Sequence, residues 1–87
     1  METIPETYKN LLSLKCYLNR LKTLPKTLTQ LETLHCECNE LKTIPETYTN
    51  LRRLYCAHNR IKIDLLPDII IKNKYIYIGS IYTQSYY

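Results

Sequence analysis

The stretch Leu11 to Pro25, LLSLKCYLNRLKTLP, decides the fold, because it returns twenty residues later as LETLHCECNELKTIP (31–45) and begins a third time at Leu51 as LRRLYCAHNRIK. In columns, Leu11/Leu31/Leu51, Leu14/Leu34/Leu54, Cys16/Cys36/Cys56, Asn19/Asn39/Asn59 and Leu21/Leu41/Ile61 align, and Ile4-Pro5, Leu24-Pro25 and Ile44-Pro45 close each turn. Three copies of the same fixed positions specify a repeat protein whose units bury themselves against their neighbours. That resolves a difficulty of size, since 87 residues form at most one small domain with little room for a single globular core.

Leu14-Lys15-Cys16, and its copies Leu34-His35-Cys36 and Leu54-Tyr55-Cys56, alternate with period two. The spacing predicts a strand of three or four residues with Leu and Cys inward and the middle residue outward. Asn19, Asn39 and Asn59 follow where the chain must turn; Asn tolerates the left-handed region, and its amide can bond turn backbone. Stacked, these amides form a ladder serving backbone groups that no sheet reaches. Pro25 then fixes φ and removes a donor, ending regular pairing. Lys26-Thr27-Leu28-Thr29-Gln30 leaves room for only a turn of 3₁₀ or extended chain.

The units read as a partial N-terminal repeat over 1–10, repeats over 11–30, 31–50 and 51–72, and a degenerate C-terminal cap and tail over 73–87, all in one domain. Residues 61–67 hold two more residues than 41–45. Carrying that insertion forward places Ile76 and Ile78 on the Leu-x-Cys columns, so Tyr75 to Ile78 reads as a fourth strand and Tyr82 to Tyr87 as a tail.

This unit, LxxLxCxxNxLxxLP, resembles the leucine-rich repeat, and its twenty-residue period with Leu-Pro at the turn is similar to the short subclass of bacterial effector proteins. The resemblance covers residues 4 to 66, with cysteine in place of the usual central aliphatic in every copy. It implies a curved, right-handed solenoid, with short parallel β-strands on the concave face and irregular or 3₁₀ segments on the convex face. It also implies protein recognition on the concave surface. In the effector family a separate ubiquitin-ligase domain is attached, and that activity does not carry over to these residues. Short proteins of this type also occur in large DNA viruses of amoebae.

Net charge is +4, with acidic residues spread among the basic ones and no run of one sign, a balance that disfavours nucleic acid as the partner. METIPETYKN lacks the basic and apolar regions of a secretory signal, and the longest apolar run, Ile69 to Ile71, falls far short of the roughly 20 residues of a membrane span. The chain therefore reads as cytoplasmic, in the host-cell cytoplasm if its source is viral, with no membrane association.

Cys16, Cys36 and Cys56 share an inward column and read as reduced, buried thiols acting as small hydrophobes. His35-Cys36-Glu37-Cys38 crowds metal-ligand types together, but on a strand Cys36 faces inward while His35 and Glu37 face outward. Cys38 and His58 then offer two ligands at most, short of the four of structural zinc. One glycine leaves no phosphate-cradling loop. No catalytic, metal or cofactor site is read from the chain.

Function falls to the outward columns Leu12/Glu32/Arg52, Ser13/Thr33/Arg53, Lys15/His35/Tyr55, Tyr17/Glu37/Ala57 and Leu18/Cys38/His58. Aromatics and arginine dominate binding hot spots, so the candidate protein-binding residues are Lys15, Tyr17, His35, Glu37, Arg53, Tyr55 and His58. The alternatives are a weak nucleic-acid or anionic-surface binder using Lys22, Lys42, Lys62, Arg52 and Arg53 with the tyrosine-rich tail, and a structural or vestigial fragment without a dedicated partner. Self-association through the uncapped ends is left open. Charge columns Arg20/Glu40/Arg60 and Glu6/Lys26/Glu46 alternate in sign, which predicts favourable contacts between rungs.

Overall fold

A computed structural model describes residues 3–62, 66–71 and 77–78. Its framework is one open parallel sheet of four very short strands: β1 (Ser13–Lys15), β2 (Thr33–His35), β3 (Arg53–Tyr55) and β4 (Tyr77–Ile78), in the order β1-β2-β3-β4. Register follows the repeat, with Leu14 opposite Leu34 and Leu34 opposite Leu54, so equal positions twenty residues apart are spatial neighbours. Parallel pairing requires a crossover between strands. Here it is made of turns, with backbone bonds such as Tyr48 N–H to the Pro45 carbonyl at 3.3 Å and Leu51 N–H to the Tyr48 carbonyl at 3.4 Å.

The core is the stack of inward columns. Leu21, Leu28, Leu31, Leu34, Cys36, Leu41, Ile44, Leu54 and Cys56 are fully enclosed, and each fully buried Leu contributes about 2 kcal/mol through its removal from water. Pro5, Pro25 and Pro45 each stand beside an inward aliphatic, Ile4, Leu24 or Ile44, at the point where the chain leaves the sheet layer.

Three features depart from the sequence reading. The left-handed residue of each rung is not the asparagine but the residue before it: Leu18, Cys38 and His58 have φ of 60°, 58° and 58°. The asparagines keep ordinary backbone because their side chains are committed to the interior. The turn must instead come just after the last ladder bonds, Leu18 N–H to the Glu37 carbonyl and Cys38 N–H to the Ala57 carbonyl, both 3.0 Å.

The second departure is the register of β4. Ile78 lies opposite Leu54, and Tyr77 opposite Arg53, so Ile78 sits on the leucine column and not the cysteine column. The insertion of two residues holds at Leu66, which is buried like Ile44, but two further residues are taken up before β4. Between these points runs a single-turn helix, α1 (Asp68–Ile71), with Ile70 enclosed and Ile70 N–H bonded to the Pro67 carbonyl at 2.9 Å. A helix advances 1.5 Å per residue against about 3.3 Å in extended chain, so a helical crossover uses more residues to span the same distance. Because the slip is an even number, residue parity is retained. The expectations for Tyr75, Ile76 and the tail from Tyr82 to Tyr87 lie outside the described residues.

The third concerns charge. Glu40 and Arg60 approach to 3.9 Å, but among the described residues no ion pair joins Arg20 to Glu40 or links Glu6, Lys26 and Glu46. Threonine hydroxyls join the latter rungs: Thr27 Oγ1 donates to the Glu6 carbonyl at 2.8 Å and Thr47 Oγ1 to the Lys26 carbonyl at 2.7 Å. A hydroxyl on a short side chain reaches neighbouring backbone with little loss of rotamer freedom, whereas two long exposed side chains gain little by pairing.

Candidate interaction surface

The outward face of the sheet is positioned by two ladders beneath it. Asn39 Nδ2 donates to the carbonyls of Cys16 and Cys36 at 3.0 Å and of Glu37 at 3.2 Å, and its Oδ1 accepts Leu21 N–H at 3.0 Å. Asn59 repeats the pattern one rung on, reaching Cys36, Cys56 and Ala57 while accepting Leu41 N–H. Each amide thus ties its own turn to the preceding rung. Among the described residues Asn19 bonds its own rung alone, donating to the Cys16 and Tyr17 carbonyls.

Beside the amides lie Cys16, Cys36 and Cys56, all buried with free thiols. Burial, and then the negative charge of Glu37, pushes Cys16 up to about 11 and Cys56 up to about 12. Cys36 is raised as well, by burial first and then by its neighbours Cys56 and Cys16 and by Glu37. The thiolate is the nucleophile and metal-binding form, so these three groups serve as apolar packing atoms. Tyr48 is also raised, by burial first and then by Cys16 and Cys36, and its hydroxyl donates to the Pro25 carbonyl at 2.6 Å.

Above this support, the left-handed turn at Leu18, Cys38 and His58 lifts the chain beyond the strands and makes one wall of a cleft of about 650 Å³. Lys15, Tyr17, His35, Glu37 and His58 line it together with Leu18, Cys38 and Ala57. His35 stacks on Tyr55 with ring centroids 4.4 Å apart and planes 8° from parallel, as in-register neighbours on β2 and β3 allow. Tyr17 and Leu18 are large apolar groups left 48% and 72% exposed on this surface. One oxygen of Glu37, Oε1, is shielded from solvent and reaches no hydrogen-bond partner.

The structure therefore brings five of the seven candidate residues into one concavity and places a sixth, Tyr55, against it through His35. Arg53 stands two positions before Tyr55 at the other end of β3, exposed and apart from the cleft lining. Leu18 and Cys38 were absent from the candidates although they share a column with His58, and that shared column was the signal. Among the described residues no cluster of three or more His, Cys, Asp or Glu side chains is disposed to hold a metal ion, and no helix is long and apolar enough to cross a membrane. No family model, no curated protein and no solved structure matches the chain.

Proposed function

We propose that the chain is a leucine-rich-repeat module, a curved solenoid with its sheet on the concave side, and that it binds a partner protein non-catalytically through the cleft on that face. The observation that carries this reading is the cleft itself. It spans three rungs, combines a rigid stacked pair, His35 on Tyr55, with exposed Tyr17 and Leu18, and holds a carboxylate oxygen of Glu37 that is shielded but unbonded. Interface hot spots are aromatic anchors surrounded by polar groups that pair on binding. A desolvated acceptor without a donor costs about 1–3 kcal/mol, which a donor from the partner recovers. A basic side chain or backbone N–H group inserted between Tyr17 and His58 fits that role.

The test is affinity capture from the source cell with the wild-type chain beside His35→Ala/Tyr55→Ala and Glu37→Gln, each checked for an unchanged melting curve. The reading requires that the captured protein be lost with the double variant and reduced with Glu37→Gln. Retention by both, with loss on replacing Lys22, Lys42 and Lys62 by Ala, overturns it and moves binding to the basic column.

A further inference from the structure

The rungs are of two kinds that alternate. Residues 3–22, TIPETYKNLLSLKCYLNRLK, match residues 43–62 at 13 of 20 positions, whereas the intervening residues 23–42 match either one at only 9. Charge alternates with them. Residues 3–22 and 43–62 each carry four basic side chains against one acidic, net +3, while 23–42 carry two basic against three acidic, net −1. The middle stretch is gripped by the third. Tyr48 Oη donates to the Pro25 carbonyl, Asn50 Nδ2 to that of Thr29 and Asn59 Nδ2 to that of Cys36, while Arg60 approaches Glu40.

Every one of those gripping residues recurs in the first stretch, as Tyr8, Asn10, Asn19 and Arg20. By repeat position they belong to the outer edge of β1, which has no strand partner among the described residues. Tyr8 is half exposed where Tyr48 is 1% exposed. Glu32 and Thr33 N–H both donate to the Leu12 carbonyl, and Arg52 and Arg53 N–H to the Glu32 carbonyl; the corresponding N–H groups of Leu12 and Ser13 point away from β2. Leu12 adds apolar surface that is 54% exposed.

We infer that this edge is a docking site for a partner chain that presents a rung of the 23–42 kind, with an acidic residue on the Arg20 column, added to β1 as a parallel strand. Such strand addition draws affinity from backbone bonds and specificity from alternate side chains. A second copy of this chain is a poor occupant. Its own 23–42 stretch is covered on both sides, β1-to-β1 pairing brings two net +3 stretches together, which like charges oppose, and the edge strand that a head-to-tail copy would offer, β4, has two residues and no acidic side chain.

The experiment is a titration of the full chain, kept reduced, with a synthetic peptide of the sequence of residues 23–42, followed by amide hydrogen exchange. The expected result is protection of Leu12 and Ser13 N–H and an affinity about tenfold tighter than that of a 43–62 peptide. Tyr8→Phe should weaken binding roughly threefold to tenfold, and Arg20→Glu should reduce the preference for the acidic peptide. Joining the same sequence directly ahead of Thr3 removes the entropy of association and should raise the melting temperature more than a joined 43–62 sequence. Equal effects of the two sequences, no protection in either format, or protection that grows with chain concentration in the absence of peptide overturns the proposal; the last outcome assigns the edge to self-association.

Discussion

The second rung and the first have nearly the same inward residues in different surroundings. Leu34 is wholly enclosed and Leu14 only half buried; Asn39 bonds two rungs and Asn19 one; Cys36 is more deeply sequestered than Cys16. Among the described residues, the second rung has a strand neighbour on each side and the first on one. The comparison teaches that stability in this molecule belongs to the contacts between units, as expected where each repeat touches only its neighbours.

The sharpest way to break that comparison is to remove the amides. Asn39→Ala leaves Leu21 N–H without its buried acceptor and takes one of two amide donors from each of the Cys16 and Cys36 carbonyls, which keep Asn19 and Asn59, so a loss of about 3 kcal/mol in urea unfolding is expected, against about 1 kcal/mol for Asn19→Ala. Comparable losses at the two positions would mean that the inter-rung bonds carry little. Next, Leu34→Ala should cost about 3 kcal/mol and Leu14→Ala about 1 kcal/mol, because the first creates a closed cavity and the second a surface notch.

Alkaline pH acts on the cysteine column. Folded values of about 11 for Cys16 and about 12 for Cys56 lie above the unfolded value near 9, so protons are held more tightly in the native state. Stability is then constant with pH below about 9 and declines as pH rises toward those folded values, by about 1 kcal/mol for each of these thiols at pH 10. Urea midpoints at pH 7 to 10.5 check this, and Cys56→Ala should flatten the curve. Tyr48→Phe removes one buried bond and should cost about 1 kcal/mol, whereas Tyr8→Phe in the isolated chain should change stability by less than about 0.5 kcal/mol. Smallest is a gain: Leu18→Asn relieves a left-handed leucine that is largely exposed and should stabilise by about 0.5 kcal/mol, seen as a small rise in melting temperature.

The strands were legible because a period of twenty and an alternation of two leave few ways to bury Leu14, Leu34 and Leu54 together. The position of the turn was not. Asparagine has the intrinsic tolerance for the left-handed region, but that preference is worth less than the buried bonds made by the amides of Asn39 and Asn59, so the conformation passed to the residue before. The slip at β4 was hidden because a four-residue helix in Asp68 to Ile71 gives too short a stretch to show helical periodicity. At the surface, the outward columns could be written down from spacing alone. That Lys15, Glu37 and His58 converge while Arg53 stands apart depends on where the chain bends, which no column records.

Leu18, Cys38 and His58 adopt one backbone shape with three unrelated side chains, an aliphatic, a thiol and an imidazole, each set at the rim of the cleft. The scaffold demands a conformation there and is indifferent to chemistry. A single codon change at any of these three positions therefore alters the rim of the cleft without refolding the frame beneath it.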